Sequence, residues 1–139
     1  MKPIDYLKAL GVAVAVLALN LLITTAVITV YALLLKPGQP QEHYNAMAPR
    51  IASWSAPIGG ALLLFAAGWL FTRRMPDRNA LRFIAAVWLA YVLVDVLLAL
   101  PMGGVQGLMQ PAFPIHLAAS LAAGLAGAVL ATRRSPATA

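Results

Sequence analysis

The chain is written as four long apolar runs separated by short polar breaks. Runs of this length exceed what a buried strand needs and match what a helix needs to cross a bilayer. The first predicted helix spans about Pro3 to Leu35. Pro3 suits a first helical turn, where the missing N–H costs nothing. The uncharged part, Ala9–Leu35, would cover ~40 Å at ~1.5 Å per residue, more than the ~30 Å hydrocarbon core, so it should tilt or project. It is also longer than the ~7–15 residues of a signal-peptide core and reads as a retained span. Lys36-Pro37-Gly38 is the expected stop.

The polar stretch KPGQPQEHYNAMAPR follows, with room for a short interfacial helix around Glu42–Met47. The second helix is predicted over about Ile51 to Thr72. Pro57 inside it frees the carbonyl of Ser53 and predicts a kink, which Gly59 and Gly60 would soften further. Arg73-Arg74-Met75-Pro76 ends it, and Asp77 is the expected N-cap of a third helix over about residues 78–100. Pro101 and Gly103-Gly104 should end that helix, leaving the uncharged connection MGGVQGLMQPAF. The fourth helix is predicted over about residues 112–132, before Arg133-Arg134. The pattern therefore predicts an all-α membrane protein, a four-transmembrane-helix up-down bundle forming a single domain over residues 1–135, with a disordered tail at 136–139.

Composition agrees with that class. The chain is 62% hydrophobic and 10% charged, with a mean hydropathy of +0.84. Soluble domains carry about 25% charged residues, so there is too little charge here to cover a solvated surface. The net charge of +6 does not point to nucleic acid, because the basic residues sit at the ends of the apolar runs. With no cysteine, disulfides, thiolate chemistry and cysteine-based metal or iron–sulfur sites are excluded.

The basic residues instead set orientation. Lys2, Lys8, Arg73, Arg74, Arg78, Arg82, Arg133 and Arg134 fall on one side, and Lys36 and Arg50 on the other. This bias places both termini in the cytoplasm of a bacterial-type inner membrane, with the 36–50 and 102–113 connections outside. A shift of sixty residues also superposes the first two helices on the last two. It matches Tyr31 with Tyr91, Val27 with Val87, Leu70 with Leu130 and Thr72-Arg73-Arg74 with Thr132-Arg133-Arg134. Read as a repeat, this gives two parallel helical hairpins; read blandly, it is an Ala/Leu/Val-rich chain matching itself.

Within the fourth helix, Ser120, Gly124 and Ala128 recur every fourth position, with Gly127 on an adjoining small-residue track. Such tracks let helices approach closely in lipid. They would pack inside the bundle or, as an alternative, form a homodimer or larger-complex seam.

The outstanding polar residue is Asp95, set deep in the run LRFIAAVWLAYVLVDVLLALP. An ionised carboxylate in lipid costs roughly 2.5–3.5 kcal/mol on insertion scales, so it should face the bundle interior or a wet cavity, either protonated or paired. Trp88 and Tyr91 share its helical face. His116, near the start of the fourth helix, should lie at similar depth. Asn20, Thr24 and Tyr31 run along one face of the first helix. Together they outline an outward-opening pocket, with Glu42, His43, Arg50 and Trp54 as gate or lid. The bland reading makes Asn20 and Thr24 interhelical glue, Tyr31 and Trp54 interfacial belt residues, and Asp95 with His116 a structural clasp.

No metal motif is present, since Glu42, His43, Asp95 and His116 lack ligand spacing. No cofactor signature is found either. The leading expectation is a non-enzymatic protein that binds or translocates a proton, a cation or a small amphipathic ligand around Asp95. The alternative is a structural or accessory subunit joined through the fourth helix. Third comes a membrane enzyme acting on a lipid or quinone, which no motif supports.

Overall fold

In a computed structural model, residues 3–74, 79–108 and 112–133 are described, and they are all helical apart from the short turn at 36–40 and residue 79. Helix α1 covers Pro3–Val30 and continues as a π-helical turn, Tyr31–Leu35. Helix α2 covers Gln41–Arg74, α3 Ala80–Leu108 and α4 Ala112–Arg133. Four of these stretches, Pro3–Leu35, Gln41–Arg74, Ala80–Leu98 and Phe113–Arg133, are long and apolar enough to cross a membrane. The chain is thus an all-helical bundle of the kind expected for a multi-pass membrane protein. Its outside is studded with Leu7, Leu22, Leu34, Leu62, Leu97 and Ile115, which water would not tolerate as a continuous coat and lipid would.

Two predicted boundaries are wrong, and for the same reason. The second helix does not begin at Ile51 after a loop with a separate short helix; α2 runs unbroken from Gln41 through both Pro49 and Pro57. The third does not stop at Pro101; α3 continues through Pro101 and Gly103-Gly104 to Leu108. Proline removes one N–H and frees one carbonyl, a local loss. At Pro57, inside the apolar run, an unwound segment would strand many more backbone groups, so continuing the helix costs less; at Pro49 and Pro101, toward the ends of the runs, the loss is the local one alone. The expected N-cap Asp77 and the tail at 136–139 lie outside the described residues.

The turn between α1 and α2 is tied by Tyr44. The Lys36 N–H donates to the Tyr31 carbonyl at 2.9 Å, five residues back, which widens the last turn. Lys36 O then accepts from the Tyr44 hydroxyl at 2.7 Å, and the Gln39 N–H donates to the same hydroxyl at 3.1 Å. Gly38 supplies the reversal with φ +76, a left-handed conformation that glycine adopts without a steric penalty.

The most extensive helix pair is α2 with α4. A Cβ added to Gly68 would collide with the Gly124 carbonyl, and one added to Gly127 would collide with the Phe65 carbonyl. The two helices therefore meet backbone to backbone. Partner numbers rise together along this seam (Leu64 with Gly124, Gly68 with Ala128), so α2 and α4 run parallel. Around it lies the apolar core, including Ala13, Leu17, Leu64, Phe83, Ile84 and Val87. At the arginine end of α2, the Arg73 guanidinium lies 4.7 Å from the Trp69 ring centroid.

Candidate polar site between the helices

Above the α2–α4 seam, toward the 36–40 turn, the core changes from apolar to polar. Gly60 marks the place. A Cβ there would stand 3.0 Å from the Tyr91 hydroxyl, 3.4 Å from Asn20 Nδ2 and 3.6 Å from His116 Cε1. One missing side chain on α2 thus lets groups from α1, α3 and α4 converge. Asn20 is held by donating from Nδ2 to the Ala56 carbonyl at 3.1 Å, and its carboxamide is close enough to Tyr91 for the two side chains to interact. That bond uses a carbonyl one turn before Gly60, so a single face of α2 holds Asn20 in place and makes room for its neighbours.

Asp95 on α3 and His116 on α4 lie within electrostatic reach of each other, and Tyr91 also feels the Asp95 charge. Tyr91 is 1% exposed and Asn20 5%, while Asp95 and His116 are half-buried. Two polar atoms of the cluster, Asn20 Oδ1 and His116 Nδ1, are buried with no hydrogen-bond partner among the described residues. The arrangement has spare acceptor or donor capacity at its centre. That is what a site for a proton or a small polar group requires, and what a finished structural network avoids.

The other residues singled out from the sequence are spread around this cluster. Trp88 lies on the Tyr91 face but is bonded away from it: its indole N–H donates to Ser120 Oγ at 3.1 Å and to the Leu117 carbonyl at 3.2 Å. Thr24 is buried, its hydroxyl without a partner among the described residues. Tyr31 is not brought to Asp95; its hydroxyl meets His43 Nε2 at 3.1 Å in the α1–α2 turn region, with the two rings stacked. Glu42, Arg50 and Trp54 are exposed. Gly124, Gly127 and Ala128 face α2 within the chain. Among the described residues no three of His, Asp and Glu come together.

No family model, curated protein or solved structure matches the chain. The site is therefore read from its own chemistry.

The sequence pattern did not announce what Gly59 and Gly60 do at this site. Gly59 and Gly60 look like flexible points next to Pro57, but they are the close-approach surface for Asn20 and Tyr91. Ser55 is buried with an unbonded hydroxyl. Asp5, at the far end of α1 and away from this site, is 3% exposed although it stands in a first turn. The every-fourth-residue track Ala52, Ala56, Gly60 was the available signal for the first of these, since it marks the face of α2 that a neighbour approaches.

Proposed function

We propose that this chain is a multi-pass protein of the bacterial cytoplasmic membrane that binds a proton, a cation or a small amphipathic molecule at Asp95. Both termini are cytoplasmic in this reading, following the arginine and lysine bias, and access is from the outer side. The observation that carries it is the convergence of His116, Tyr91 and Asn20 around Gly60, with Asp95 within electrostatic reach of His116 and Tyr91 and two polar atoms left unbonded. An acid facing an imidazole within the spans can take up and release a proton while its neighbours reorganise. The same pair can release the carboxylate to a cation. The parallel course of α2 and α4, with Gly68 beside Ala128 and Leu64 beside Gly124, supports two hairpin repeats sixty residues apart.

The test is made in liposomes and nanodiscs. Infrared difference spectra would follow the Asp95 carboxyl against pH and added cations, and a trapped pH dye would follow proton movement. Asp95→Asn should keep the helical circular dichroism and lose the carboxyl signal together with any binding or flux. If Asp95→Asn and Asp95→Leu both leave binding and flux as they were, while Asp95→Leu unfolds the bundle more easily, the pair is a structural clasp and the proposal fails.

A further inference from the structure

A groove on the membrane-facing surface lies between α1 and α2, on the opposite side of Gly59 from the core. Its volume is about 250 Å³. Ile23, Val27, Trp54, Ile58 and Leu62 form its walls, and Ser55 lines it as well. Ile23, Trp54, Ile58 and Leu62 are exposed, so the groove opens sideways, toward lipid.

The chemistry of its lining is specific in two respects. First, Ser55 is 4% exposed and its Oγ has no hydrogen-bond partner among the described residues. Several helical hydroxyls in this chain bond back to the preceding turn, as Ser53 does to Arg50 O at 2.7 Å and Ser120 to Leu117 O at 2.9 Å, whereas Thr24 and Thr72, which do not line the groove, are unbonded like Ser55. Ser55 forgoes that bond. Second, Gly59 lines the groove, and a Cβ built there would stand 2.5 Å from Asn20 Oδ1, the other unbonded oxygen. The absence of a side chain at Gly59 makes room for that oxygen, although Asn20 does not itself line the groove. An unpaired buried polar group in an apolar phase is costly, so the Ser55 oxygen calls for a hydrogen-bonding partner.

No residue lining the groove is charged. A phosphate or carboxylate head would find no cation there, and an ammonium would find no anion. The volume is below the ~300–1,000 Å³ of a drug-sized pocket, which suits one chain and not a two-chain lipid. We propose that the groove binds a single-chain neutral amphiphile, a long-chain or prenyl alcohol, with its hydroxyl bonded to Ser55 and its chain along Ile58 and Leu62. This site is separate from the one at Asp95 and goes beyond that reading.

The test uses a long-chain alcohol carrying a diazirine on its chain, photolysed with the whole protein in nanodiscs, with labelled residues mapped by mass spectrometry. Label should concentrate on Ile23–Val27 and Trp54–Leu62 and be competed by unlabelled alcohol. Ser55→Ala should weaken that competition roughly two- to tenfold, the value of one neutral hydrogen bond. Ile58→Trp, at an exposed position, should fill the groove and abolish the focused label without unfolding the protein. It should leave the infrared signal of Asp95 unchanged, so that failure of either reading does not carry the other. Label spread over the lipid-facing sides of α3 and α4 in proportion to exposure would overturn the proposal. So would equal competition by the matching carboxylate, trimethylammonium or alkane.

Discussion

The hydroxyl of Tyr91 occupies the space that a side chain at position 60 would need, only 3.0 Å from where a Cβ on Gly60 would stand. Neither residue can change size without moving the other. Gly60→Ala should therefore destabilise the bundle by about 1–3 kcal/mol, the usual cost of overpacking. Tyr91→Phe in the same chain should recover part of it, because the clash is with the oxygen. A double-mutant cycle in detergent unfolding should return a coupling of about 0.5–3 kcal/mol, and additive effects would show that the contact is slack.

The α2–α4 seam makes a second contrast. Gly68→Ala and Gly127→Ala put a methyl against backbone carbonyls that cannot swing away. Each should cost about 1–3 kcal/mol or more. Gly11→Ala is the control: nothing lies within 4 Å of its Cβ position. There the gain in helix propensity, about 0.8–1 kcal/mol in soluble hosts, should leave stability equal or improved. Thermal unfolding of the three variants in one detergent decides the order.

Ser120→Ala tests a smaller bond. Trp88 would lose one acceptor and keep the Leu117 carbonyl. Interhelical hydrogen bonds in membranes average about 0.6 kcal/mol and seldom exceed about 1.7. A loss well above that range would mean Ser120 carries more than this bond. Trp88 emission, isolated with Trp54 and Trp69 replaced by phenylalanine, should shift as its indole N–H is partly released.

Tyr44→Phe addresses the turn. One hydroxyl holds Lys36 O and the Gln39 N–H. Without it, amide hydrogen exchange should accelerate over residues 36–40 and remain slow at Asn20 and below. Acceleration that reached Asn20 would show that the turn and the polar site unfold as one unit.

How much of this the sequence announces depends on the range of the interaction. The four spans follow from run length and charge alone, because insertion in lipid is decided by a few kcal/mol per polar residue. That Asp95 and His116 come within electrostatic reach of each other accords with the similar depth the topology gives them. The start of α2 and the end of α3 were not legible, because the polar stretch before Ile51 reads as a loop and Pro101 with Gly103-Gly104 as a stop, whereas a proline costs a helix only a local loss. Tyr31 was expected beside Tyr91, yet the widened turn carries it to His43. The roles of Gly59, Gly60 and Ser55 depend on which neighbour comes close, and a single chain of letters holds no distance between helices.

The backbone-to-backbone contact of α2 and α4 also fixes where a membrane voltage would act. Around Gly68, Gly124 and Gly127 the interior is tightly packed and apolar, with Leu64, Ile84, Val87 and Ala128 buried. This segment lies between the polar cluster and the arginine end of α2, so most of the electric field falls across it. A charge arriving at Asp95 from the turn side crosses little of that field. One that continued past Leu64 would cross nearly all of it, at about 2.3 kcal/mol per elementary charge per 100 mV. With access from the turn side as proposed, occupancy of Asp95 would be almost blind to membrane potential, and only passage through the seam would register as gating charge.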